Sequence, residues 1–84
     1  MSGRKVVLER LGGNIRKLRK RAKLSQERLA LEAGLDRTYV GGVERGERNV
    51  GVLNLCRIAN ALRVPVSELL LGIVDEGEEK EDAR

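Results

Sequence analysis

The 84-residue chain has no histidine, tryptophan or phenylalanine, and only one tyrosine, one proline, one cysteine and one methionine. Each scarcity removes a class of function. Without imidazole, and with Cys56 as the sole thiol, the chain lacks the groups that hold zinc or activate a nucleophile. No glycine-rich phosphate loop is present either, so an enzyme is not expected, nor a metal or cofactor. One cysteine cannot close an internal disulfide, and among Leu55, Ile58 and Ala59 it reads as a small core residue. No apolar run approaches the roughly 20 residues of a membrane span. The N-terminal MSGRKVVLERLGG has no signal-peptide apolar stretch, so the expected home is the cytoplasm, away from membranes.

Charge, by contrast, is plentiful. Seventeen Lys and Arg face thirteen Asp and Glu, a formal net charge of +4, and the isoelectric point is about 9.7. The distribution is lopsided. Residues 1–50 hold thirteen basic against six acidic side chains, or +7, and residues 51–84 hold four against seven, or −3. A basic half suits a polyanion, although charge alone fits RNA or a membrane surface as well as DNA. A chain of this length supports one domain with a marginal core, which dimerisation would supplement.

Apolar spacing predicts an all-α fold of five helices. Leu8, Leu11, Ile15, Leu18 and Ala22 recur at steps of three or four, so helix one should span about Val7 to Ala22 despite Gly12 and Gly13. Val52, Leu55, Ile58, Ala59 and Leu62 mark a fourth helix. Pro65 breaks the chain, and Val66 to Leu71 reads as a short fifth. From Asp75 the sequence is DEGEEKEDAR, too polar to pack and predicted to be a disordered acidic tail.

Ser25 to Gly46, SQERLALEAGLDRTYVGGVERG, carries the most information. Ser25 offers a helix-capping oxygen, and Glu27 places negative charge in the positive first turn of a helix from Gln26 to Ala33. Leu29 and Ala33 form its buried stripe, with Ala30 small enough to let a second helix cross closely. Gly34 can take the left-handed conformation that ends the helix, Leu35 supplies an apolar plug, and Asp36 suits the N-cap of a helix beginning near Arg37. In that helix Val40 and Val43 point inward, which leaves Arg37, Thr38, Tyr39, Gly41 and Gly42 on or beside the outer face. Two short helices sharing an apolar face form a helix-turn-helix, whose second helix can enter the major groove of DNA.

The segment from Gln26 to Leu70 resembles the lambda-repressor-like, Cro-type (Xre family) helix-turn-helix, with Gln26, Ala30, Gly34, Val40 and Val43 at the family's positions. The run LDRTYVGGVERGERN, Leu35 to Asn49, is especially similar to controller proteins of bacterial restriction-modification systems. The resemblance implies a five-helix lambda-repressor-like domain over residues 7–73, after a flexible N-terminus at 1–6 and before the tail at 74–84. Pro65 departs from the family, which usually places a capping residue such as Ser there.

The candidate contacts follow. Arg37 has the fork geometry to bind guanine O6 and N7 together, and Thr38 can meet a thymine methyl or a phosphate. For Tyr39 two readings stand, a contact to sugar or base and a surface packing role. The close approach that Gly42 permits makes it a further candidate. The resemblance adds a phosphate contact by Gln26 and contacts to backbone or minor groove by Arg48 and Asn49, whose alternative is an ordinary polar loop. It also implies a buried ion pair between Arg19 and Glu44, as in some phage repressors. Leu53, Val66, Leu69 and Leu70 are left over by the core and suit a self-complementary dimer interface, unless Leu69 and Leu70 close the monomer core instead.

The expected function is sequence-specific transcriptional regulation: a homodimer on an inverted repeat in double-stranded DNA, probing half-sites about 34 Å apart. The resemblance further implies autoregulation, cooperative pairs of dimers on DNA and contact with RNA polymerase. An alternative is an antitoxin-type autoregulator that binds a partner protein through its acidic tail.

Overall fold

Apolar residues at three- and four-residue steps generate five helices in the computed structural model, which describes residues 3–73: α1 (Gly3–Arg21), α2 (Gln26–Ala33), α3 (Arg37–Glu44), α4 (Val52–Leu62) and α5 (Val66–Leu69). Their inward stripes meet in one core. Leu11, Ile15 and Leu18 of α1 pack with Leu29 and Ala30 of α2, Val40 and Val43 of α3, Leu55, Ile58, Ala59 and Leu62 of α4, and Leu69 of α5. Val50 joins them from the loop before α4. No described helix is long and apolar enough to cross a membrane.

Four helices end in the same way. After α1 the amide of Leu24 donates to Arg19 O and that of Lys23 to Lys20 O, the paired bonds of a Schellman motif. The same pairing recurs after α2 at Gly34 and Leu35, after α3 at Gly46 and Glu47, and after α4 at Arg63 and Val64. Each motif requires a left-handed residue, supplied by Gly34 and Gly46 but also by Lys23 and Arg63, at φ of 63° and 60°. In three cases the following residue, Leu24, Leu35 or Val64, then packs against the core. The stop signal and the hydrophobic plug are thus adjacent in sequence.

Several expectations are corrected. Helix α1 starts at Gly3 rather than Val7, so positions 3–6 are helical and not a loose N-terminus. The extra turn has partners: Val6 and Val7 are half-buried, and Gly3, Arg4, Val7 and Leu8 share a hollow with Asn49 and Ile73. At the other end Ala22 is exposed in the turn. Val52 opens α4 but is 71% exposed, outside the core. Helix α5 is shorter than expected, ending at Leu69, and Leu69 is fully buried rather than free for an interface. The expected acidic tail lies outside the described residues.

Gly12 explains why α1 tolerates a glycine in its middle. It is buried where α1 meets the end of α3, and a Cβ there would collide with the carbonyl oxygens of Val43 and Glu44. Its neighbour Gly13 faces open space. Farther along α1, Asn14 Nδ2 donates to Leu69 O at 2.8 Å and Leu71 O at 2.9 Å, and Arg10 to Gly72 O at 2.9 Å. These bonds satisfy carbonyls that the end of α5 would otherwise leave unpaired.

Candidate nucleic-acid interface

The α2–turn–α3 unit is built from local signals. Ser25 Oγ accepts from Arg28 N at 2.9 Å, and Gly34, at φ 70°, ends α2. Asp36 occupies the N-cap position of α3 but makes no side-chain capping bond. Val40 and Val43 are fully buried, which fixes the rotation of α3 and leaves Arg37 and Thr38 exposed at its N-terminal end. Among the described residues no hydrogen bond or ion pair engages either of these two side chains, so both are available to a ligand.

Tyr39 is half-buried and packs against the core. Its hydroxyl accepts from Asn54 Nδ2 at 3.2 Å, and the Arg48 guanidinium stands 5.7 Å from its ring centroid. The packing reading of Tyr39 is the one the structure shows, with the ring lying under Arg48. Asn49 is exposed in the same loop. Of these candidates the structure brings Tyr39 and Arg48 into contact, while Arg37 and Thr38 lie exposed at the start of α3 and Asn49 in the loop after it.

Gly41 and Gly42 are buried, contrary to the expectation of an open outer face. Neighbouring side chains cover them. A Cβ on Gly42 would lie 3.1 Å from Arg48 Cγ, and one on Gly41 would lie 3.2 Å from Arg45 Nη1 and 3.5 Å from Gln26 Oε1. The glycines thus make room for long polar side chains to lie across α3, and the Gly42 backbone is screened by Arg48. The four-residue step from Gly41 to Arg45 was the available signal for part of this cover.

Beneath that surface sits a buried ionic network. Arg19 Nε donates to Glu44 Oε2 at 2.6 Å and Arg19 Nη2 to Glu44 Oε1 at 3.0 Å, a two-pronged pairing. Arg19 Nη1 also donates to Leu24 O at 2.9 Å. Gln26 Nε2 adds a 2.9 Å bond to Glu44 Oε1, so the residue that opens α2 is anchored to α3. At the rim, Arg45 pairs with Glu47 through two 3.1 Å bonds. The hydrogen bond and charge of Arg45 lower the Glu47 pKa, and Glu47 in turn raises that of Arg45.

A helix-turn-helix family model matches residues 15–69, which contain α2, α3 and the ion pair. The chain belongs to the helix-turn-helix family. Among the relatives of this helix-turn-helix chain is control protein C.MunI of Mycoplasma sp., 44% identical over 68 residues, covering 80% of this chain and 92% of that protein. Control protein C.SmaI of Serratia marcescens is 48% identical over 64 residues, 76% of each chain. The crystal structure of the restriction-modification controller protein C.AhdI from Aeromonas hydrophila superposes with a TM-score of 0.73 at 52% identity, covering 74% of this chain and 94% of that one.

The apolar residues expected at an interface of this helix-turn-helix chain fall into three groups. Leu53 and Leu70 are exposed, at 76% and 42%. Val66 is half-buried against the core, and Leu69 belongs to the core itself. Sequence reasoning overlooked Val52 and Leu71, both exposed, because periodicity assigned each to a buried stripe or a longer helix.

Proposed function

We propose that this chain, a DNA-binding helix-turn-helix regulator of the controller type, reads an inverted-repeat operator as a homodimer and regulates the operon that encodes it, in a restriction-modification system. The observation that carries the reading is the presentation of Arg37 and Thr38, exposed at the start of a helix whose opposite side is locked into the core by Val40 and Val43. In this reading Arg37 pairs with a guanine edge in the major groove and Thr38 meets a thymine methyl or a phosphate. Arg48, braced on Tyr39, and Asn49 contact the backbone near the centre of the site, and Gln26 donates to a phosphate at the start of α2.

One recognition helix covers few base pairs, so a second copy supplies both affinity and symmetry. Exposed Leu53 and Leu70 support a two-fold contact, together with Val52 and Leu71. The similarity to control proteins supports the restriction-modification setting. Cooperative pairs of dimers and contact with RNA polymerase belong to the same proposal.

Selection of binding sites from a randomised duplex pool, followed by titration of the enriched site against random DNA at fixed salt, tests it. The expected result is an inverted repeat with half-sites about one helical turn apart and a preference on the order of a thousandfold. Absence of any enriched sequence would overturn the reading.

A further inference from the structure

Beyond Glu9 the helix α1 contains no acidic residue, and five of its cations, Arg10, Arg16, Lys17, Lys20 and Arg21, are exposed. Among the described residues none of the five is in an ion pair. Two of them, Lys17 and Arg21, stand about one helical turn apart and wall a groove of about 300 Å³ between α1 and the end of α5. Glu68 is the one carboxylate that lines it, so the groove carries a formal charge of +1.

The chain leaves the described structure beside this groove. Gly72 is one of its walls, Arg10 Nη1 holds Gly72 O at 2.9 Å, and Ile73 shares a hollow with Val7 and Leu8 of the same helix. The sequence that follows, outside the described residues, contains Asp75, Glu76, Glu78, Glu79, Glu81 and Asp82. Against these six carboxylates stands only Lys80, which gives residues 75–82 a formal charge of −5. Residues 74–82 span up to about 30 Å when extended, whereas α1 rises only about 20 Å from Leu8 to Arg21. Their carboxylates therefore reach Lys17 and Arg21. Because the two partners belong to one chain, the effective concentration is on the order of millimolar, so a weak pairing suffices.

We propose that the acidic segment 75–82 docks in this groove of its own chain, its carboxylates pairing with Lys17 and Arg21. Opposite charge, reach and the fastening of Gly72 by Arg10 all favour this occupant. The docked segment competes with phosphates for the cations of α1. Binding to random DNA depends on charge alone, so it is weakened more than binding that includes base contacts. Docking is independent of the DNA-regulator reading, and only the competition rests on it.

The test places a nitroxide at position 80, through Lys80→Cys in a full chain carrying Cys56→Ser, and measures the broadening of backbone amide signals without DNA. At low salt the amides from Asn14 to Arg21 should broaden well beyond those of α4. About 0.5 M salt should remove the difference, as should Lys17→Gln with Arg21→Gln. Equal broadening of α1 and α4, or a preference for α1 that survives the double variant, would overturn the docking.

Titration of a random duplex then reads the competition. Replacing the six carboxylates by their amides should tighten binding about tenfold at low salt, and by no more than about twofold when Lys17→Gln and Arg21→Gln are also present. The tenfold gain should persist with Arg57→Gln and Arg63→Gln, which remove the same charge away from the groove. An equal gain in both backgrounds would show that the segment acts through net charge alone and would overturn the competition. If α1 broadens selectively but no operator is enriched, the regulator reading fails and the docking stands. If an operator is enriched without selective broadening, the docking alone fails.

Discussion

Arg19 and Glu44, 25 residues apart in sequence, form a buried two-pronged ion pair that fastens α1 to the end of α3. Glu44 Oε1 also receives Gln26, so the same carboxylate fixes the start of α2 relative to α3. The helix-turn-helix is thus held from below by charge and from the side by Leu29, Val40 and Val43. Removing Arg19 strands both a buried carboxylate and the Leu24 carbonyl. Arg19→Met should cost about 3 to 5 kcal/mol in urea unfolding. A loss under about 1 kcal/mol would show that the pair contributes no more than an exposed one.

Gly12 and Gly13 are neighbours on α1 with opposite surroundings, and alanine substitution should separate them. Gly13→Ala meets nothing and removes a helix-interior glycine, so it should stabilise by about 0.5 to 1 kcal/mol. Gly12→Ala forces a methyl group into the α3 backbone and should destabilise by about 1 to 3 kcal/mol or more. Thermal unfolding of the two variants side by side gives the answer. Equal shifts would mean that α1 is free to move away from α3.

Arg63 ends α4 in the left-handed region at φ 60°, a conformation disfavoured for any residue with a Cβ. Arg63→Gly relieves that strain and loses some unfolded-state restriction in return. The net expectation is a gain of about 0.5 to 1 kcal/mol by chemical denaturation. A loss would indicate that the Arg63 side chain stabilises the fold in another way.

Arg37 and Arg48 should fail differently on DNA. Arg37→Ala should abolish discrimination at one base position per half-site, a change of about 1 to 3 kcal/mol there, with folding intact. Arg48→Ala should weaken specific and random DNA alike and reduce the salt slope by about one. Competition titrations against single-base operator variants distinguish the two, and an equal loss on operator and random DNA for Arg37→Ala would refute its role in base reading.

The proposed dimer surface predicts an asymmetry between Leu53 and Leu69. Leu53→Lys, at a position 76% exposed, should leave the monomer folded and shift sedimentation toward the monomer. Leu69→Ala empties a fully buried site and should cost about 2 to 5 kcal/mol of stability instead. A Leu53→Lys variant that sediments as the unaltered protein does would remove Leu53 from the interface.

How much of this molecule is legible in its sequence depends on the range of each signal. Ser25, Gly34, Val40 and Val43 specify α2, the turn and α3 because caps and apolar stripes act within one or two helical turns. The charge asymmetry and the absence of histidine, likewise, are complete in the sequence and narrow the chemistry before any folding. Left-handed Lys23 and Arg63 escaped notice because neither residue type advertises that conformation.

Tertiary structure decided the rest. The first turn of α1 shares a hollow with Asn49 and Ile73, and Leu69 is buried in the core while Asn14 binds its carbonyl from 55 residues away. Gly41 and Gly42 lie on the outward side of α3 by periodicity, yet Gln26, Arg45 and Arg48 fold over them. Gly12 is a weakness in an isolated helix and a necessity at a helix crossing. Local sequence determines which turns are helical and which face is apolar. Only the packed chain determines what stands opposite each face, because burial and close approach are properties of pairs of residues brought together by the fold.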